Sequence, residues 1–174
     1  MSDLDPRSLR PGILDGSAER AFTAGACAAL AIALHDATGW ALVKVTDSHN
    51  VWVGDDHTME GLDADARSRI GSAGGGSALH WMVVRPDGAL IDVDGAHSAA
   101  DVIDEHDGEA DDGESALGQA SRRDAVEEYE GQGEPISIRL AATFVTAVLA
   151  RAGRWEQPSR PHPRKPSTLA RAGR

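Results

Sequence analysis

Cys27 is the one cysteine in a chain of 174 residues, and its surroundings are those of a thiol that could act as a nucleophile. It follows Gly25 by two positions and opens an alanine-rich run, Ala26 to Leu34, that reads as the start of a helix. At a helix start the unsatisfied backbone N–H groups and the helix dipole favour a thiolate. A thiolate is the form of cysteine that attacks an acyl carbon. Taken alone, a cysteine among alanines is more often a small buried hydrophobe. Two polar residues in otherwise apolar strands shift that balance. His80 stands in Leu79-His80-Trp81-Met82-Val83-Val84, and Asp92 interrupts Leu90-Ile91-Asp92-Val93-Asp94-Gly95. An imidazole can carry a proton and a carboxylate can orient the imidazole, so Cys27, His80 and Asp92 form the expected reactive group. Asp94 is the alternative third member. Thr23 and Gly25, just before the cysteine, are the expected support for an oxyanion bound by backbone N–H groups.

Helices and strands must bring these residues together. Ser17 to Ala21 reads as a short lead-in helix, and Ala26 to Ala37 as a longer one ended by Gly39. Trp40 to Thr46 and Asn50 to Val53 read as strands, 62–70 as a short helix, and the glycine-rich stretch 72–77 as loop. Leu79 to Arg85 and Ala89 to Val93 form the clearest hairpin, turned by Pro86-Asp87-Gly88. Strict pairing about that turn sets His80 beside residue 95 and does not put it face to face with Asp92. An uneven hairpin or a bulge is then required to bring the two side chains together. Further on, Ser98 to Glu105 and Arg122 to Tyr129 read as short helices with an acidic loop, 106–115, between them. Ile136 to Ala152 reads as one continuous helix, with Ile138, Leu140, Ala141, Phe144, Val145, Val148 and Leu149 at helical spacing.

Composition narrows the function classes. With 41% hydrophobic residues but only 4% aromatics, the core is built from small and branched aliphatic side chains, as suits a layered α+β domain. A formal charge of −11 argues against a general nucleic-acid binder, which needs Lys and Arg set against phosphates. The charge is uneven: from Arg154 onward, Arg154, Arg160, Arg164, Lys165, Arg171 and Arg174 face Glu156 alone. A basic tail on an acidic body could engage an acidic partner. A lone cysteine excludes an intramolecular disulfide and a Cys-rich metal centre. His35, His49, His57 and His97 lack the close spacing of a structural zinc site and read as scattered, solvated residues. No metal or other cofactor is expected. Met1 to Pro11 is polar, and the longest apolar stretch is too short to span a bilayer, so the expectation is a cytoplasmic protein with no membrane contact. The chain divides into a polar segment 1–16, a domain 17–155, and a basic proline-rich tail 156–174 expected to be disordered.

From Phe22 to Gly95 the chain resembles the papain-like superfamily, which includes NlpC/P60 peptidases, transglutaminase-like enzymes and papain-fold toxin and deamidase domains. Three pieces carry the resemblance in order: Gly25-Ala26-Cys27-Ala28-Ala29-Leu30, His80-Trp81-Met82-Val83-Val84, and Asp87-Gly88-Ala89-Leu90-Ile91-Asp92. The resemblance implies a nucleophile helix packed on an antiparallel β-sheet. It also implies a thiol hydrolase acting on a peptide, isopeptide or side-chain amide bond of a protein or peptide substrate. The roles implied are nucleophile for Cys27, proton carrier for His80 and orienting group for Asp92. Ala28 departs from the aromatic residue that follows the cysteine in many relatives, Ala26 departs from the acidic residue that precedes it in others, and no glutamine stands shortly upstream. The alternatives are acyl transfer to an amine, as in transglutaminase-like enzymes, and a non-catalytic interaction module with a structural cysteine.

Overall fold

The computed structural model describes residues 6–23, 25–52, 70–74, 77–110, 113–133 and 136–153. After a 3-10 turn at Pro6–Ser8 come helices α1 (Gly16–Thr23) and α2 (Cys27–Thr38), then strands β1 (Ala41–Asp47), β2 (Val51–Trp52), β3 (Ile70–Ala73), β4 (His80–Val84), β5 (Leu90–Asp92) and β6 (Gly95–His97). Helix α3 (Ala99–His106), strand β7 (Ser115–Ala120) and helices α4 (Arg122–Gln132), α5 (Ile138–Ala142) and α6 (Val145–Ala152) complete the described elements. The fold is α+β. Among the described residues, seven strands form one sheet in the order β2-β3-β7-β1-β4-β5-β6. The expected sheet was antiparallel, and the observed one is mixed, because β3 runs parallel to β7 while every other neighbouring pair is antiparallel.

Helix α2 explains the scarcity of large side chains. Seven consecutive residues, Ala28 to Leu34, are buried, so this helix is apolar all round and lies inside the molecule. It packs on β4 and β1 and is flanked by α1, α4, α5 and α6. Alanines let those neighbours approach closely, while Leu30, Ile32 and Leu34 each contribute roughly 1.5–3 kcal/mol of burial. Gly39 ends the helix in the left-handed conformation, φ 73°, with its N–H donated to the His35 carbonyl at 2.8 Å. Leu42, Trp81, Val83 and Ile91 face this helical layer. On the other face of the sheet, Val43, Val45, Met82, Val84, Leu90 and Leu117 pack with Ala99 and Val102 of α3. The N-terminal segment lies on the body, since Leu9 is buried and Leu14 packs against the same core as α2.

Several sequence expectations need correction. The stretch 72–77 is not all loop, because Ser72 and Ala73 belong to β3 and Gly71 faces Gly118 across the parallel pair. A Cβ on Gly118 would lie 2.7 Å from the Ala73 side chain and 2.8 Å from its Cα, so only glycine allows strands this close. The long helix 136–152 is two helices. The N–H groups of Thr143 and Phe144 reach back three residues, to the carbonyls of Leu140 and Ala141, and the Thr143 hydroxyl also donates to Leu140. That tightened turn ends α5 and seats Phe144 in the core, edge-on to Phe22 at 5.2 Å between ring centres. Ile70 is strand rather than the end of a helix, and the rest of the expected helix, 62–69, lies outside the described residues. So does the tail 156–174. Strands β6 and β7 were not anticipated. Among the described residues, no single helix is long and apolar enough to cross a membrane; α1 and α2 reach that composition only as a pair bent by 99°.

Candidate active site

Asp92 is the middle of the site. It ends β5, the strand between β4 and β6, and the observed pairing of Val83 with Ile91 and Val84 with Leu90 places Met82 opposite Asp92 and Asp94 opposite His80. His80 and Asp92 are therefore diagonal neighbours on one face of a regular ladder. No bulge is needed, because a histidine and an aspartate can bridge that diagonal. The expectation that an uneven hairpin or a bulge is required is corrected on this point. His80 Nε2–H donates to Asp92 Oδ2 at 3.0 Å. Both side chains are nearly excluded from water, at 8% and 11% exposure.

The turn after β5 supplies two more donors. Asp92 pairs with Gly95, so the chain reverses through Val93 and Asp94 alone and sends β6 back beside β5. The Asp94 N–H donates to Asp92 Oδ1 at 2.9 Å, and His97 Nε2–H donates to the same oxygen at 2.8 Å. His106, in the last turn of α3, lies nearly parallel to the His80 ring with centres 5.6 Å apart, and its Nδ1–H donates to the Val102 carbonyl at 2.9 Å. The sequence alone reads His97 as a scattered, solvated residue and His106 as the start of an acidic loop. The signal for His97 was the Asp94-Gly95 pair, a reversal signal that sets residue 97 on the same face as Asp92.

Cys27 stands in the first turn of α2, partly buried, and lines one pocket together with His80 and Asp92, where its charge would favour the imidazolium of His80. With His80 Nε2 bonded to Asp92, Nδ1 is the ring nitrogen left for a second partner. Gly25, at φ +131°, makes the corner between α1 and α2 in a backbone conformation that L side chains rarely adopt. No side chain of Ala26 caps the first turn of α2. Thr23 is at the corner too, but its hydroxyl proton goes to the Glu19 carbonyl at 2.9 Å.

Charge reinforces the geometry. Burial works to lower the His80 pKa, but the hydrogen bonds with Asp92 and Cys27 outweigh it and raise the value from 6.5 to about 10. Asp92 moves the other way: burial pushes it up, while the hydrogen bonds from His80 and then His97 hold it well below the ordinary carboxylate range. His97 is raised, first by its bond to Asp92. Asp94 makes no bond to His80, and burial with the charges of Asp92 and Glu19 raises its pKa. A cleft of about 170 Å³ opens beside the group, with His80, Asp92, Asp94, His97, Glu105 and His106 in its walls. Among the described residues, no group of three or more His, Cys, Asp or Glu side chains is arranged to hold a metal ion. The arrangement joins a thiol, an imidazole that is charged at neutral pH, and a carboxylate that fixes the imidazole. Compared with protein-family models, with curated proteins and with solved structures, the chain matches none.

Proposed function

We propose that this chain is a papain-like cysteine hydrolase that cleaves a peptide, isopeptide or side-chain amide bond through a thioester acyl-enzyme. The observation that carries this reading is the hydrogen-bonded His80–Asp92 pair, which lines one pocket with Cys27 at the start of the buried helix α2. In the reaction, the Cys27 sulfur attacks the amide carbon, and the carbonyl oxygen gathers charge near the uncapped first-turn N–H groups of α2. His80 Nδ1 gives its proton to the departing nitrogen as the C–N bond breaks, leaving a thioester and a free amine. Water then attacks the thioester while the neutral His80 takes one of its protons, and release of a carboxylic acid restores the thiolate and imidazolium. Asp92 keeps Nε2 protonated and the ring in place throughout. An amine in place of water at the second step gives acyl transfer through the same intermediate.

Labelling with iodoacetamide tests the reading without a known substrate, because Cys27 is the only thiol. Native protein should be labelled at neutral pH, and His80→Ala should slow labelling at least about tenfold. Cys27→Ala should abolish labelling and turnover with the fold retained. A cysteine that labels only after unfolding, with His80→Ala equally inert, would mark a structural thiol in an interaction module and overturn the hydrolase.

A further inference from the structure

We infer that His97 is a positioning residue, which pins Asp92 Oδ1 so that Oδ2 stays aimed at His80. The inference rests on the reading of His80 as the proton carrier of a cysteine hydrolase, and it adds to that site a member outside the Cys-His-Asp group. Three adjacent strands build it. On one face of the sheet, β4 presents His80, β5 presents Asp92 and β6 presents His97, each histidine diagonal to the aspartate from its own side. The two oxygens of Asp92 are divided between them. Oδ1 receives His97 Nε2–H and the Asp94 N–H, while Oδ2, among the described residues, receives His80.

A carboxylate on a two-bond side chain turns readily about its last torsion. The Asp94 N–H alone fixes a point, whereas a second donor on the same oxygen fixes the plane of the carboxylate. His97 supplies that second donor from a strand held by main-chain pairing, so the orientation of Asp92 is set before any substrate arrives. In a hydrolase this matters because His80 must keep one ring orientation while its proton leaves and returns. His97 is itself faced by Asp92 and Asp94 at the β5–β6 turn and by Glu105 of α3. His106 and Glu109 line the same cleft, and Arg151 of α6 stands 3.9 Å from Asp94. These charges surround the His97–Asp92 bond without replacing either donor on Oδ1.

Imidazole NMR titration of the full chain reads the effect directly. In His97→Ala the His80 midpoint should fall by about one unit, because a loosened carboxylate holds the imidazolium less well. His97→Gln, whose amide N–H can reach the same oxygen, should recover at least half of that shift. Should His97→Ala not fold, His97→Leu, which keeps volume without a donor, is read in its place. An unchanged His80 midpoint in the folded donor-less variant, or a His97→Gln midpoint equal to it, overturns the proposal. Cys27 is present in every variant compared, so the difference between their NMR midpoints reports on His97 and not on whether the thiol reacts. An inert Cys27 alongside the expected shift therefore defeats the hydrolase and leaves the positioning role standing, while a reactive Cys27 with an unmoved midpoint defeats only the positioning role.

Discussion

At the residue scale, Asp92 holds one negative charge between two imidazoles in a nearly dry pocket, and the pH dependence of stability follows from that. A carboxyl depressed below its ordinary value of 3.8 contributes stability above that pH and loses it as the pH falls further. An imidazole raised from 6.5 contributes in full below 6.5 and loses its share as the pH climbs to about 10. Both contributions are complete only between these two ordinary values. Asp92→Asn keeps the shape and removes the charge, so it should cost about 3 kcal/mol within that interval, and the cost should shrink as the pH approaches 10. Calorimetry of both proteins across the range checks this, and a cost independent of pH would mean that the histidines are not charged partners. His80 and Asp92 are conspicuous in the sequence as a base and an acid inside apolar strands, and the structure bonds them to each other in a pocket that Cys27 also lines. His97 is legible only through the Asp94-Gly95 reversal, and His106 carries no signal of its own. A histidine in a three-residue strand and one at the end of a short helix look like surface residues until the register sets them around Asp92.

At the scale of elements, the sheet depends on strands that carry almost no side chain. β7 reads Ser-Ala-Leu-Gly-Gln-Ala, with no β-branched or aromatic residue, yet it lies between β1 and β3. Gly118→Val should lower stability by about 2–3 kcal/mol or more, since its side chain would enter the space of Ala73. In urea the midpoint should fall with little change in slope; an unchanged midpoint would show that the two strands can separate freely. The same feature explains what the sequence concealed. α2, β1 and the β4–β5 hairpin announce themselves by apolar runs and turn residues, because each owes its form to local pattern. β7 is a strand for tertiary reasons alone: closely spaced backbones select small residues, and small residues carry no strand signal. The division between α5 and α6 was hidden in the opposite way. The apolar spacing continues through Thr143 and Phe144, and only the capture of Phe144 beside Phe22 shows why the helix must break there.

At the scale of the whole molecule, the order of strands in space departs from their order along the chain. β1 pairs with β4 on one side and with β7 on the other, so both edges of the central strand are filled by segments made well after it. β3, in turn, gains its inner neighbour only when β7 arrives. During synthesis a growing chain can dock α2 on β1 and the β4–β5 hairpin early, but until residues 115–120 emerge the long apolar edge of β1 stays open. Such an edge invites pairing with another chain. A polypeptide ending at residue 110 should therefore show no cooperative thermal transition and should aggregate, while the chain carried past β7 should not. Soluble, cooperative behaviour of the shorter product would mean that β1 is protected by some other route. The last of the described strands to be made is thus the one that joins β1 to β3, and the interval before its arrival is when a nascent chain most needs to be kept apart from its neighbours.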